Sequence, residues 1–109
     1  MIVKAWNNGS HHADGNGYGI KISIHDRDLY FDSSWKTITV ELEGSEEPVD
    51  LHINKASFWN KTCRELISKE IGKWLIEHHL DRWQYRQPPE LELIKIGERK
   101  FLLKVLDQS

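Results

Sequence analysis

The 109-residue chain is short of cysteine, with one, and of long apolar runs. A lone cysteine, Cys63, excludes an intrachain disulfide and a four-cysteine zinc site, and such sparing use fits a reducing compartment. Nothing in the sequence approaches the roughly 20 apolar residues that a membrane-spanning helix needs. The opening residues MIVKAW hold neither a signal-peptide core nor a cleavage site, so the expectation is a cytoplasmic protein with no membrane association. Net charge is also small, −2, which argues against a protein that coats polyanions. The charge is uneven, however: residues 1–54 carry 4 Lys or Arg against 9 Asp or Glu, net −5, while residues 55–109 carry 11 against 8, net +3. Such asymmetry allows a basic face on an acidic protein.

What is present describes a folded domain. Charged residues make up 29% and hydrophobic residues 39%, a balance that can bury a modest core. Five Trp, three Tyr and three Phe supply large buried area to a chain with room for one core, so residues 1–109 read as a single domain.

Residues 2–6 form a first strand, ended by Asn7-Asn8-Gly9. Tyr18, Ile20, Ile22 and Ile24 alternate with polar or small residues as a second. A short helical segment follows around Leu29, Tyr30 and Phe31. Residues 37–43 and 49–54 make a hairpin with Ile38, Val40, Leu42, Val49, Leu51 and Ile53 inward and an acidic outer side. The three-and-four spacing of Cys63, Leu66, Ile67, Ile71, Trp74 and Leu75 predicts one long helix over 60–79, ended by the loop containing Pro88 and Pro89. Residues 91–96 and 100–106 are the last strands. The order β-β-(short α)-β-β-α-β-β predicts an α+β domain: a mainly antiparallel, curved or barrel-like sheet of about six strands with the long helix on one face.

The segment WNNGSHHADGNGYG carries the first candidate site. Gly15, Gly17 and Gly19 precede a strand, whereas the dinucleotide fingerprint follows a strand and opens a helix; no Gly-Lys-Ser/Thr follows, so a P-loop is also excluded. The expectation is instead an anion cradle, with backbone N–H groups at Gly15 and Gly17 and side chains of Asn7, Asn8, Ser10, Tyr18 and Lys21 as donors. Adjacent His11 and His12 point apart too readily to share a metal, and HExxH is absent, so no metal or other cofactor is assigned. Either histidine suits general acid–base work on a phosphodiester, since an imidazole titrates near neutral pH. His78-His79 reads as a helix C-terminus, and Cys63 as part of the apolar stripe.

Two further segments add positive charge. The start of the expected long helix offers free N–H groups beside Lys61 and Arg64. Arg82-Trp83-Gln84-Tyr85-Arg86 alternates rings that stack on unpaired bases with guanidinium groups that meet phosphates. The leading expectation is a binding module for a nucleotide or single-stranded nucleic acid. Metal-independent phosphodiester or RNA cleavage by His11 or His12 is the alternative, and a protein-interaction or inhibitor domain is the third. In any of these a homodimer could form across a two-fold axis through an edge strand or the apolar helix face.

Overall fold

The computed structural model describes residues 1–106. Alternating apolar residues build one mixed sheet from β1 (Ile2–Asn7), β2 (Tyr18–Lys21), β3 (Thr37–Leu42), β4 (Val49–His52), β5 (Glu65–Ile67), β6 (Glu90–Gly97) and β7 (Lys100–Val105). Their spatial order is β4-β3-β7-β6-β1-β2-β5. Every neighbouring pair is antiparallel except β3 and β7, which run parallel. Three helices, α1 (Ile24–Tyr30), α2 (Ala56–Trp59) and α3 (Lys69–Glu77), complete the α+β fold. The sheet therefore has seven strands rather than about six, and its antiparallel character is broken where the two hairpins join.

One face of the sheet forms the core. Val3, Ala5, Ile38, Val40, Leu42, Leu91, Leu93, Phe101 and Leu103 are each at most 4% exposed. Phe31, just after α1, stacks on Phe101 at 4.8 Å and meets the edge of Phe58 from α2, so both short helices dock on the same cluster. Edge strands β4 and β5 line opposite sides of a single cleft of about 390 Å³, which means the sheet curls nearly onto itself. Trp74 in α3 is buried and donates its indole N–H to the Glu43 carbonyl at 2.8 Å, tying the helix to the end of β3.

The long helix expected over 60–79 is replaced by a loop, a strand and a nine-residue helix. Asn60 Oδ1 accepts the N–H groups of Thr62 and Cys63, a local turn that competes with helix formation. Leu66 is buried while Ile67 is 52% exposed, the two-residue alternation of a strand. Ser68 is the real N-cap: its hydroxyl accepts from the Ile71 N–H and bonds Glu70. Cys63 accordingly lies in the loop and not on a helical stripe. At the other end His78 caps α3, with its ring 4.5 Å from that of Trp74. Strand two also stops earlier than expected, at Lys21, because Ser23 caps α1 by accepting from Asp26 N–H and turns Ile24 into a helical residue.

A buried cation fixes the segment between these elements. Arg27 is 7% exposed and donates to the carbonyls of Phe58 at 3.1 Å and Asn60 at 2.6 Å, while pairing with Asp28 at 3.0 Å. These partners replace the water that a buried guanidinium loses.

The connection between β1 and β2 is anchored on α3 by two glycines. A Cβ at Gly15 would fall within 3.0 Å of the Lys69 carbonyl oxygen, and one at Gly72 within 3.0 Å of the Gly15 carbonyl. Gly15 also has φ +92, a region L side chains rarely adopt. Alanine at a free helical position stabilises relative to glycine by about 0.5–1 kcal/mol. Gly72→Ala is expected to do the reverse, lowering stability by about 2–3 kcal/mol through overpacking against backbone. Urea denaturation reads this as a lower midpoint; a midpoint equal to or above that of the unsubstituted protein would show the contact to be soft.

Candidate functional site

The 7–19 loop spends its own donors. Asn7 Oδ1 accepts the Gly9 N–H at 2.7 Å, Asn8 Oδ1 the Ser10 N–H at 3.0 Å, and Asp14 Oδ1 the Asn16 N–H at 3.0 Å. Asn8 N–H and Gly15 N–H go to the carbonyls of Gly17 and His12. The Asn16 N–H is also the main reason that the Asp14 carboxyl sits below its usual pKa, with Lys69 adding to it. Of the two backbone donors expected to form an anion cradle, the Gly15 N–H is closed into a turn, whereas the Gly17 N–H has no hydrogen-bond acceptor among the described residues. The glycines serve close packing and left-handed backbone; the N–H groups of Gly9, Ser10, Gly15 and Asn16 are already paired.

The side chains of the loop are a different matter. Tyr18 begins β2 with its ring 1% exposed, so its hydroxyl needs a partner inside the protein. It donates to the Asp81 carbonyl at 2.9 Å. His11 Nδ1 lies 3.0 Å from Tyr18 Oη and 3.3 Å from the same carbonyl. With the single phenolic hydrogen given to Asp81, the contacts are satisfied by the His11 tautomer that carries its hydrogen on Nδ1, and Nε2 has no hydrogen-bond partner among the described residues. The His11 ring also meets Trp83 edge-on, with centroids 6.3 Å apart. Residues 7–19 and 81–87, 60 and more positions apart in sequence, are therefore joined through His11, Tyr18, Asp81 and Trp83.

In the two segments joined here several candidate groups are open to solvent. His12 is exposed beside His11. Tyr85 is 84% exposed, with the Arg86 guanidinium 5.2 Å from its ring centroid. The Arg82 side chain is 76% exposed and only loosely paired with Asp81, at 3.9 Å. Trp83, by contrast, packs partly buried against the core and holds the segment in place.

Lys21, Lys61 and Arg64 lie elsewhere. Arg64 donates from Nε to the Ile22 carbonyl at 2.8 Å and from Nη1 to the Lys61 carbonyl, so it clamps the far end of β2. Tyr18 and Ile22 are four residues apart, about 13 Å along an extended strand. The His11 junction and the Arg64 clamp occupy opposite ends of β2, and Lys61 and Arg64 stand in a loop with no helix N-terminus. Lys4, the cross-strand partner of Lys21, adds a cation that the sequence reading missed. Its pairing depends on register, which alternation alone does not give. Among the described residues no three His, Cys, Asp or Glu side chains group closely enough to hold a metal ion.

Burial raises the Tyr18 phenol above its ordinary pKa of 10.0, and the nearby Asp81 carboxylate adds to the rise. Above pH 10 the unfolded chain releases this proton before the folded one does, so the folded state binds more protons and stability falls with rising pH. Tyr18→Phe should lose about 1 kcal/mol at neutral pH with its hydrogen bonds. The gap from the unsubstituted protein should narrow as pH rises above 10, measured as urea midpoints from pH 8 to 11. A gap that stays constant over that range would contradict the assignment. Compared with known protein families, curated proteins and solved structures, the chain matches none.

Proposed function

We propose that the protein is a binding module for an anionic ligand, a nucleotide or short single-stranded nucleic acid, held where residues 7–19 meet residues 81–87. The observation that carries this reading is Tyr85, 84% exposed, with Arg86 over its ring and Arg82 nearby in the same segment. A ring left in water contributes little to folding, but it offers a face for base stacking, which is worth about 1–3 kcal/mol per base. Two exposed guanidinium groups supply the contacts that phosphates need. His11 and Trp83 support the reading as the struts that hold this segment against the β1–β2 loop.

Fluorescence anisotropy with a labelled ten-nucleotide oligouridine tests it. Tyr85→Ala should weaken binding roughly 5- to 100-fold, in line with the stacking energy. Arg86→Gln should lower affinity and flatten its salt dependence by about one counterion. Absence of binding at 50 mM salt, or affinity in both variants equal to that of the unsubstituted protein, would sink the proposal.

A second reading is favoured by the fixed His11 ring. With Nδ1 engaged by Tyr18 and Asp81, Nε2 would take the proton of a ribose 2′-hydroxyl as that oxygen bonds to phosphorus. The bond from phosphorus to the 5′-oxygen breaks, the 5′-oxygen takes a proton from water, and Arg82 and Arg86 of the neighbouring segment would offset the phosphoryl charge. RNA incubated with the protein in EDTA should then be cleaved, and His11→Gln should slow cleavage about 100-fold or more while leaving binding in place. RNA that stays intact removes cleavage and leaves binding.

A further inference from the structure

The outer face of β1 and β2 carries an arrangement that folding alone does not favour. Lys4 and Lys21 are direct cross-strand partners, and like charges placed opposite one another destabilise an antiparallel pair. Lys21 reaches one carboxylate, Glu65, at the long distance of 3.8 Å. The other oxygen of Glu65 accepts the Arg64 backbone N–H at 2.9 Å. Lys4 makes no ion pair among the described residues, although Glu90 stands opposite it on the β6 side. Arg64 closes the group, its guanidinium held in place by the carbonyls of Ile22 and Lys61, with Nη2 left without a protein acceptor among the described residues.

These groups surround a hollow. Ile2, Lys4, Lys21, Ile22, Ser23 and Arg64 line a cleft of about 190 Å³. That is smaller than the roughly 300–1,000 Å³ of sites that enclose whole small molecules, and it suits one anionic group. Lys4, Lys21 and Arg64 outnumber the Glu65 and Glu90 carboxylates beside them, so the cleft keeps an excess of positive charge for an anion. The immobilised guanidinium gives direction to its N–H groups, and the lysines supply point charge on flexible stems.

We propose that this cleft is a phosphate site that takes the dianion of a phosphate monoester or of inorganic phosphate. It lies at the opposite end of β2 from the His11 junction and does not depend on the function proposed there. A bound dianion would relieve the Lys4–Lys21 repulsion, which makes the unfavourable cross-strand pair intelligible as a binding device.

The test is a titration of the full chain with inorganic phosphate and, separately, with adenosine monophosphate, followed by amide NMR at constant ionic strength against chloride. Saturable shifts are expected at Lys21, Ile22, Ser23 and Arg64. The double variant Lys4→Gln, Lys21→Gln should weaken binding at least tenfold while its melting temperature in phosphate-free buffer is unchanged or raised. Equal affinity for the two probes assigns the free ion, and tighter binding of the nucleotide assigns the monoester of a larger ligand; either supports the site. Shifts that rise linearly as they do with chloride, or affinity unaltered by the double variant, overturn it. Lys100→Gln, on β7 beside Glu41, is the control that should bind as the unsubstituted protein does. Oligouridine binding in the same double variant, read by anisotropy, separates failure here from failure at Tyr85.

Discussion

Two backbones meeting without side chains set the position of everything that follows. Gly15 and Gly72 approach so closely that neither accepts a Cβ, and this contact seats the β1–β2 loop on α3. The helix is in turn held to the core by Ile71, Trp74 and Leu75. From that anchored loop His11 reaches Tyr18, and from the end of α3 the chain leads to Asp81 and Trp83. The buried phenol of Tyr18 completes the connection, since its hydroxyl has left water and needs a partner. A close-packed contact and one satisfied polar group together hold two loops that would otherwise move independently.

The curl of the sheet explains a second set of choices. Strands β4 and β5 are its edges, and they face each other across a cleft without pairing. An edge strand exposes free N–H and C=O groups that invite association. Here the edges are short, four and three residues. Asp50, Lys55, Lys69 and Glu70 flank them with charge. Short length and mixed charge are the ordinary means by which a sheet that does not close avoids pairing with another chain.

What could be read in the sequence follows from which signals were unambiguous. The β3–β4 hairpin was legible because its apolar residues alternate strictly, and the last two strands because two apolar runs flank the turn Gly97-Glu98-Arg99; the structure pairs Ile38 with Leu51 and Leu93 with Leu103. The long helix was misread because a buried Leu66 serves a two-residue period and a three-and-four period equally well. Ser68, which decided between them, looks like any other polar residue until its hydroxyl is seen to accept from Ile71. The loop was recognised as unusual, but its glycines were given a ligand when Gly15 packs on a helix, Gly17 on the Asn8 side chain and Gly19 on the backbone of β5. Contact with Gly72 joins residues 57 positions apart, and no local pattern records such a pairing. Arg27 was invisible for the same reason: its carbonyl partners lie beyond residue 57.

Charge shows how topology overrides composition. The halves of the chain differ by eight units of net charge, −5 against +3, yet the fold does not separate them. The parallel pairing of β3 with β7 brings Glu41 within 3.3 Å of Lys100, and docking of the loop on α3 brings Asp14 to Lys69. Two cations of the second half thus meet acids of the first, and Lys21 of the first half meets Glu65 of the second. The concentrated cleft of Lys4, Lys21 and Arg64 draws two of its three cations from the acidic half. Where opposite charges were available and the fold used them, the result is an ordinary solvated surface. Where the fold sets Lys4 against Lys21 and leaves Tyr85 in water, the arrangement adds little to stability, and these are the two places at which we propose that a ligand binds.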